Sequence, residues 1–88
     1  MPTFYFDVQR ESTFLLDKDG VDLPDMPAAE REAAELAITI ARETLRSGEG
    51  SVEIQVRNAA SVHLLTASVT LEFSYLARPD GVSSIKSS

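Results

Sequence analysis

Three stretches of this chain arrange apolar residues in the way that β-strands do. Phe4, Phe6 and Val8 are separated by more polar residues, and this two-residue period predicts a first strand with one face toward a core. The short apolar run at 14–16 follows a polar connection and predicts a second strand, paired antiparallel with the first. Alternation returns over 52–57, which predicts a third strand with one dry and one wet face.

The longest amphipathic pattern spans Met26 to Ser47 and predicts the only long helix. Asp25 is suited to accept hydrogen bonds from the first helix amides, Pro27 suits the first turn, and Gly48 can adopt the left-handed conformation that ends a helix. At about 100° per residue, one broad side gathers the residues that we expect to be buried, namely Ala29, Ala33, Leu36, Ala37, Ile40, Ala41, Thr44 and Leu45. Full burial of the two leucines and the isoleucine would contribute roughly 1.5–3 kcal/mol each.

The segment from 62 to 75 is predicted to be a long extended stretch that ends the fold. Residues 58–61 are short enough for a hairpin connection from the third strand. The first apolar residues of the segment, Val62 and Leu64, have the opposite parity to the later ones, so we expect a bulge or bend between Leu64 and Ser68. One bent strand and two separate strands both fit this pattern.

The order strand, strand, helix, strand, strand predicts an α+β fold of ββαββ type. Short hairpin connections favour an antiparallel four-stranded sheet, and one amphipathic helix covers only one of its faces. A chain of 88 residues has room for one modest core. We therefore expect a single domain over residues 1–77 and a flexible, serine-rich C-terminal tail over 78–88.

The sheet face without a helix points toward association with another protein. Soluble monomers seldom leave a sizeable contiguous apolar patch in water, and unpaired strand backbone is a template for strand addition. We therefore expect a homodimer, or a complex with an unidentified protein, formed through the uncovered face and the final strand. The candidate interaction surface consists of Tyr5, Leu15, Val69, Leu71, Phe73 and Tyr75.

The amino-acid composition limits which binding partners and which cellular compartment are expected for this chain. The chain carries 14 Asp and Glu against 8 Lys and Arg, and this net charge of −6 disfavours binding to nucleic acid phosphates. Because it has no cysteine, disulfides and thiolate metal sites are excluded. No segment approaches the ~20 apolar residues of a membrane helix, and the alternation over residues 1–9 differs from an export signal. We expect a cytoplasmic protein without a membrane partner.

Candidate chemistry is confined to an acidic turn and one histidine. The turn from Asp17 to Asp25 offers several carboxylates to a hard cation, but Asp22 and Ala28 stand where a calcium-binding loop needs glycine and glutamate. Turn formation and helix capping account for the same aspartates. His63 lies in a predicted strand and has no cysteine partner. We predict no catalytic, cofactor-binding or metal-binding residue and favour a non-enzymatic role, with enzymatic activity left open.

Several segments of the chain carry a family resemblance. They are Phe4-Tyr5-Phe6-Asp7-Val8, the turn Asp17 to Gly20, the run Val21-Asp22-Leu23-Pro24-Asp25, Glu32-Ala33 in an alanine-rich helix, and Leu64-Leu65-Thr66 in a closing strand. Over approximately residues 3 to 73, the chain resembles a family of small bacterial proteins of unknown function. The resemblance implies a compact domain of this architecture with no assigned activity, and it supplies no catalytic residue.

A second resemblance begins at Leu23-Pro24-Asp25-Met26-Pro27, which is followed by Ala28-Ala29-Glu30. Over about residues 3 to 46, this arrangement is similar to the N-terminal domain of HicB-type antitoxins. The resemblance implies an acidic module that sequesters a basic toxin, and opposite electrostatic fields accelerate such an encounter.

Two classes of function follow from these observations. The favoured one is a protein-interaction module, homodimeric or bound to another protein, that uses the uncovered sheet face and the final strand. The alternative is a small-ligand or metal-binding protein that uses the turn from Asp17 to Asp25, or an antitoxin-like acidic module.

Overall fold

The computed structural model describes residues 1–72, 74 and 76, and in this part of the chain one α-helix packs on an antiparallel sheet. This is the α+β arrangement that the sequence predicts. The elements are β1 (Thr3–Arg10), β2 (Phe14–Leu15), β3 (Val21–Asp22), α1 (Met26–Arg46), β4 (Ser51–Asn58) and β5 (His63–Thr70). Across the sheet the order is β2, β1, β4, β5, and β3 also pairs with β1.

The acidic turn is where the structure departs from the predicted ββαββ order. β2 and β3 both pair antiparallel with β1, with Leu15 opposite Val8 and Val21 opposite Phe4. They run in the same direction and form one edge strand that is interrupted between them. The intervening residues, 16–20, outnumber the β1 residues that they face, so the turn bulges out of the edge instead of reversing the chain. The described sheet therefore has an additional short strand on the same edge as β2.

The helix begins at the residue that the sequence predicts. The Asp25 carboxylate accepts a hydrogen bond from the Ala28 N–H at 3.0 Å, and Asp25 itself has extended backbone angles. Pro27 lies in the first turn, where its missing N–H leaves no helical bond unmade. This N-cap satisfies one of the first four amides and confirms the predicted start of α1.

The helix also ends as predicted, at a left-handed glycine. Gly48 has a φ of +94°. Its N–H donates to the Leu45 carbonyl at 3.1 Å, and the following N–H, of Glu49, donates to the Thr44 carbonyl at 3.0 Å. These two bonds form a Schellman motif, which satisfies carbonyls that the end of the helix would otherwise leave unpaired.

The interface between α1 and the sheet is lined by small helix residues. The sheet contributes the buried residues Phe4, Phe6, Val8, Val52, Ile54 and Val56, and the helix contributes Ala29, Ala33, Ala37, Ala41 and Thr44. Leu36 and Ile40 are only partly buried and Leu45 is 40% exposed, so the expectation that all three are fully buried is wrong. Because the alanines allow the helix backbone to approach the sheet closely, its larger side chains lie on the flanks of the interface.

The helix is displaced toward one edge of the sheet. Its backbone lies closest to β4 and β5 and farther from β1, whose large side chains Phe4 and Phe6 extend into the interface. One flank of α1 therefore faces a groove above β1 and β2, and the other flank lies beside β5, which is the opposite edge of the sheet.

The β4–β5 hairpin confirms the predicted turn and bulge. The turn follows β4 at 58–61, where the Asn58 side-chain oxygen accepts two backbone N–H groups at 2.9 and 3.0 Å. Leu64 is an extra residue in β5 with no partner in β4, so the register shifts within the predicted range. The described part of the last segment is one strand with a bulge, and it ends at Thr70. The predicted continuation through Phe73 and Tyr75, and the tail over 78–88, lie outside the described residues.

Candidate functional site

Three of the four carboxylates of the acidic turn accept hydrogen bonds from donors within the protein. Asp17 accepts three backbone N–H groups at 3.0–3.1 Å, including that of Phe6 in β1. Asp22 accepts a hydrogen bond from the Thr3 hydroxyl, and Asp25 caps α1. Over the described residues, no three carboxylate, thiolate or imidazole groups converge in a way that could hold a metal ion. The turn is therefore organised as a structural element of the β1 edge.

Asp17 takes the place of a strand partner in the gap between β2 and β3. Burial disfavours its charged form, but hydrogen bonds from three backbone N–H groups, and then the Arg57 charge, outweigh that effect. The pKa of Asp17 consequently lies below the ordinary value of an aspartate. At neutral pH the Asp17 carboxylate is therefore charged, and it accepts the Phe6 N–H that faces the gap between β2 and β3.

Arg57 in β4 ties the turn to the centre of the sheet. Its Nε donates to Asp7 at 2.8 Å, and one Nη donates to Asp7 at 3.3 Å and to the Asp17 carbonyl at 2.8 Å. The guanidinium carbon lies 4.6 Å from the centre of the Tyr5 ring, a cation–π geometry. The hydrogen bonds to Asp7 raise the pKa of Arg57 against a smaller opposing effect of burial. Arg57 therefore stays charged while it organises β1, β4 and the turn.

The sheet face opposite α1 is mostly polar, with Phe14 of β2, opposite Gln9, as an exposed apolar residue at its edge. Cross-strand partners share a face, and the register places these residues there: Tyr5, Asp7, Gln9, Glu53, Gln55, Arg57, His63, Thr66, Ser68 and Thr70. Within the described residues, this face does not present the contiguous apolar patch expected from the sequence. Association through the face itself consequently lacks the hydrophobic surface on which the expectation relied.

The four predicted interaction residues that the structure describes do not share one surface. Tyr5 lies on the open face beneath Arg57. Leu15 pairs with Val8, so it lies on the helix side at the opposite edge from β5. Val69 also lies on the helix side, and Leu71, 43% exposed, follows β5 directly, while Phe73 and Tyr75 lie outside the described residues. Parity along each strand does not fix a common face, because pairing sets the register between strands.

His63 has a local structural role. Because of the bulge at Leu64, His63 and Thr66 lie on the same face, and the His63 Nε2 is 2.8 Å from the Thr66 Oγ1 and 2.9 Å from the Leu65 carbonyl oxygen. Over the part of the chain that the structure describes, no carboxylate hydrogen-bonds to this ring. The arrangement contains no base and orienting acid of the kind that activates a nucleophile.

β5 is an edge strand of the sheet that the described residues form. Residues 63–70 contain no Asp, Glu, Lys, Arg or Pro, the residues that commonly protect edge strands. The Leu71 N–H donates to the Gly50 carbonyl at 2.8 Å, on the β4 side. Because successive residues of a strand direct their backbone groups to alternate sides, the N–H and C=O groups of Thr66, Ser68 and Thr70 face away from β4.

An apolar stripe of α1 lies beside this edge. Leu45 and Val69 line the same small crevice between the helix and the sheet, which places Leu45 on the β5 flank. Ile38 lies two turns before Leu45 on the same helix stripe. The two side chains are 54% and 40% exposed, respectively. Among the described residues, the β5 edge thus combines backbone groups that have no strand partner with an adjoining apolar flank.

Comparison with known proteins identifies the family. A family model described as a domain of unknown function, DUF6894, matches residues 3–70. The chain belongs to the DUF6894 family. This confirms the resemblance to a family without an assigned activity, whereas the similarity to HicB-type antitoxins stays a prediction. Neither a curated protein nor a solved structure matches the DUF6894 chain significantly. Of the helices in its described residues, none is long and apolar enough to span a membrane.

Two features of this DUF6894 domain were not predicted from the sequence. Ile38 was outside the predicted buried stripe, and its exposure beside an edge strand depends on where α1 sits on the sheet. The i, i+3 and i+7 spacing of Ile38, Ala41 and Leu45 is the signal that marks this second stripe. The groove above β1 and β2 depends on the same displacement of α1, which no local pattern encodes.

Proposed function

We propose that this DUF6894 domain is a non-enzymatic interaction module that forms a homodimer through its β5 edge. The observation that carries the proposal is the row of outward-facing backbone groups at Thr66, Ser68 and Thr70, in a strand without protective charges. Antiparallel pairing of two such strands about a two-fold axis gives both copies the same contact. The sheet then continues from one copy into the other.

The position of the helix supports this mode of association. Because α1 lies over β4 and β5, edge pairing sets the two helix axes about two strand spacings apart, or roughly 10 Å. Packed helices have interaxial distances of about 8–10 Å. Ile38 and Leu45 lie on the facing flanks, so the contact that pairs the strands also buries exposed apolar side chains.

Charge is compatible with association at this edge. The net charge of −6 makes two copies repel each other, but no Asp, Glu, Lys or Arg lies within β5. Salt screens the remaining repulsion. We therefore expect the homodimer to become tighter as ionic strength rises.

Of the interaction surface predicted from the sequence, the proposal includes Val69 and Leu71. Tyr5 and Leu15 have no part in the proposed contact. The expected bacterial, cytoplasmic setting is kept.

Sedimentation equilibrium across micromolar concentrations tests the proposal. The mass should rise with concentration from the 9.6 kDa of one chain toward twice that value. Ser68→Pro removes an outward N–H while the bonds from β5 to β4 stay in place, so it should remain monomeric. Ser68→Thr keeps the N–H and is the matched control, which should associate like the wild type.

Helix variants test the packing of the two α1 helices in the proposed homodimer without changing β5. Ile38→Glu adds a charge to the facing flank and should weaken association at least tenfold, a loss of about 1.4 kcal/mol. Thr39→Glu adds the same charge one residue further around the helix and should leave the dimer intact. A wild-type protein that stays monomeric at high micromolar concentration, or a folded Ser68→Pro variant that dimerises normally, would refute the proposal. A mixed complex with another protein in place of the homodimer would refute it too.

A further inference from the structure

A groove lies between α1 and the β1–β2 side of the sheet, on the helix flank away from β5. Its volume is about 450 Å³, within the range of roughly 300–1,000 Å³ that is usual for small-molecule sites. Its apolar lining comes from Val8 and Leu15 on the sheet and Ile40 on the helix. Of these side chains, Val8 is buried, Ile40 is partly buried and Leu15 is 55% exposed.

The groove is basic within an acidic chain. Of the 8 Lys and Arg residues of a chain with net charge −6, Arg10, Arg42 and Arg46 line this one groove. Glu43 is the only carboxylate among the lining residues. In residues 1–72, 74 and 76, none of these three arginines forms an ion pair. Three guanidinium groups without acidic partners make the groove complementary to an anion.

Arg10 carries a guanidinium nitrogen that the described part of the fold leaves unpaired. Its Nε is buried and has no hydrogen-bond partner among the described residues. Buried polar groups in folded proteins are nearly always paired. Arg10 lies on the helix side of β1, opposite Val52, and its side chain lines the groove. This nitrogen is shielded from solvent although the residue as a whole is only partly buried, so an acceptor bound in the groove would reach it after the Arg10 side chain turns outward.

We propose that this groove binds a small organic carboxylate with an apolar chain. The arginines donate charge-assisted hydrogen bonds to the carboxylate, and an arginine fork matches its two oxygens. The apolar chain packs against Val8, Leu15 and Ile40. This site goes beyond the proposed homodimer and lies on the other flank of α1, so either proposal can fail while the other holds.

Titration with sodium octanoate, below its micelle concentration, tests the site. Saturable shifts are expected in the methyl NMR signals of Val8, Leu15 and Ile40. The neutral analogue 1-octanol should bind at least about tenfold more weakly, because it lacks the charge that the arginines recognise. Octylammonium should not bind, and inorganic phosphate, which lacks the apolar chain, should bind more weakly than octanoate. The sedimentation mass should not change on binding.

Arginine variants distinguish specific binding in the groove from non-specific attraction between an anion and positive charges. Arg10→Gln and Arg46→Gln should each weaken octanoate binding by about tenfold. Arg31→Gln removes the same charge from an exposed position of α1 outside the groove and should have no effect. Arg46 is exposed, so its variant tests the site even if Arg10→Gln perturbs folding. Absence of saturable shifts, equal binding of octanol, octylammonium or phosphate, or equal effects of Arg31→Gln and Arg46→Gln would overturn the proposal.

Discussion

Arg57 and Asp7 form a diagonal ion pair across the β1–β4 ladder. Arg57 lies directly opposite Tyr5, and its Nε reaches Asp7, two residues further along β1, at 2.8 Å. The Asp7 carboxylate also accepts the Asp17 N–H at 2.9 Å. One buried carboxylate thus connects the central strands to the bulged turn of the β2–β3 edge.

Replacing Asp7 with alanine is expected to lower the free energy of unfolding by about 2–3 kcal/mol, because partly buried donors on Asp17 and Arg57 lose their acceptor. Asp19→Ala removes an exposed carboxylate from the same turn and should change stability by no more than about 0.5 kcal/mol. Urea denaturation followed by circular dichroism measures both. Similar losses in the two variants would show that the network does not stabilise the turn.

Acid should weaken the fold through Asp17. Its pKa is lower in the folded protein than in the unfolded chain, so the unfolded state binds more protons as the pH falls below about 4. The contribution of Asp17 is complete above its unfolded pKa and is lost as the pH falls through its folded pKa. Asp17→Asn should therefore be less stable than the wild type at pH 7, and the gap should narrow below about pH 4. A gap that is constant from pH 7 to pH 2 would contradict this assignment.

Two left-handed glycines should respond differently to substitution by alanine. A Cβ at Gly20, where φ is +74°, would lie 2.7 Å from the Thr3 Cγ2 and 2.9 Å from the Tyr5 ring. A Cβ at Gly48 would have nothing within 4 Å. Gly48→Ala should therefore cost only the conformational penalty of about 1–2 kcal/mol, and Gly20→Ala should cost about 1–3 kcal/mol more. Thermal unfolding measures the difference, and equal losses would count against the packing of the turn on Tyr5.

Thr44 is a buried polar residue with no partner for its hydroxyl among the described residues. Thr44 belongs to α1 and is 1% exposed, and its hydroxyl oxygen is one of the buried atoms without a hydrogen bond in the described part of the chain. Thr44→Val keeps the shape and removes the unpaired hydroxyl, so it should raise the free energy of unfolding by about 1 kcal/mol. Thr39→Val, at an exposed position of the same helix, is the control and should have little effect. A clear loss of stability in Thr44→Val would mean that the hydroxyl makes a stabilising bond.

Local signals explain what the sequence could predict. Asp25 and Gly48 act on the backbone within a few residues of themselves, so both ends of α1 could be placed without knowing the tertiary structure. The alternation around Phe6 and Ile54 likewise identifies which side of each strand is buried. The parity change at Leu64 is also local, and it correctly indicated the bulge in β5.

Features that depend on distant partners could not be predicted. Asp7 belongs to the polar set of its strand, yet it is buried because Arg57, 50 residues later, reaches it. The face of Leu15 follows from its pairing with Val8, which parity within one strand does not determine. The flanks that hold Ile38 and the arginine groove follow from the lateral position of α1, which is set by the packing of alanines against β4 and β5.

Residue-specific amide hydrogen exchange is the most direct test of association through β5. If two β5 strands pair, the outward N–H groups of Thr66, Ser68 and Thr70 form hydrogen bonds between copies. Their protection should rise with protein concentration and approach that of Leu65, Ala67 and Val69, whose N–H groups face β4. Fast exchange of Thr66, Ser68 and Thr70 at every concentration, beside protected inward-facing neighbours, would contradict the account.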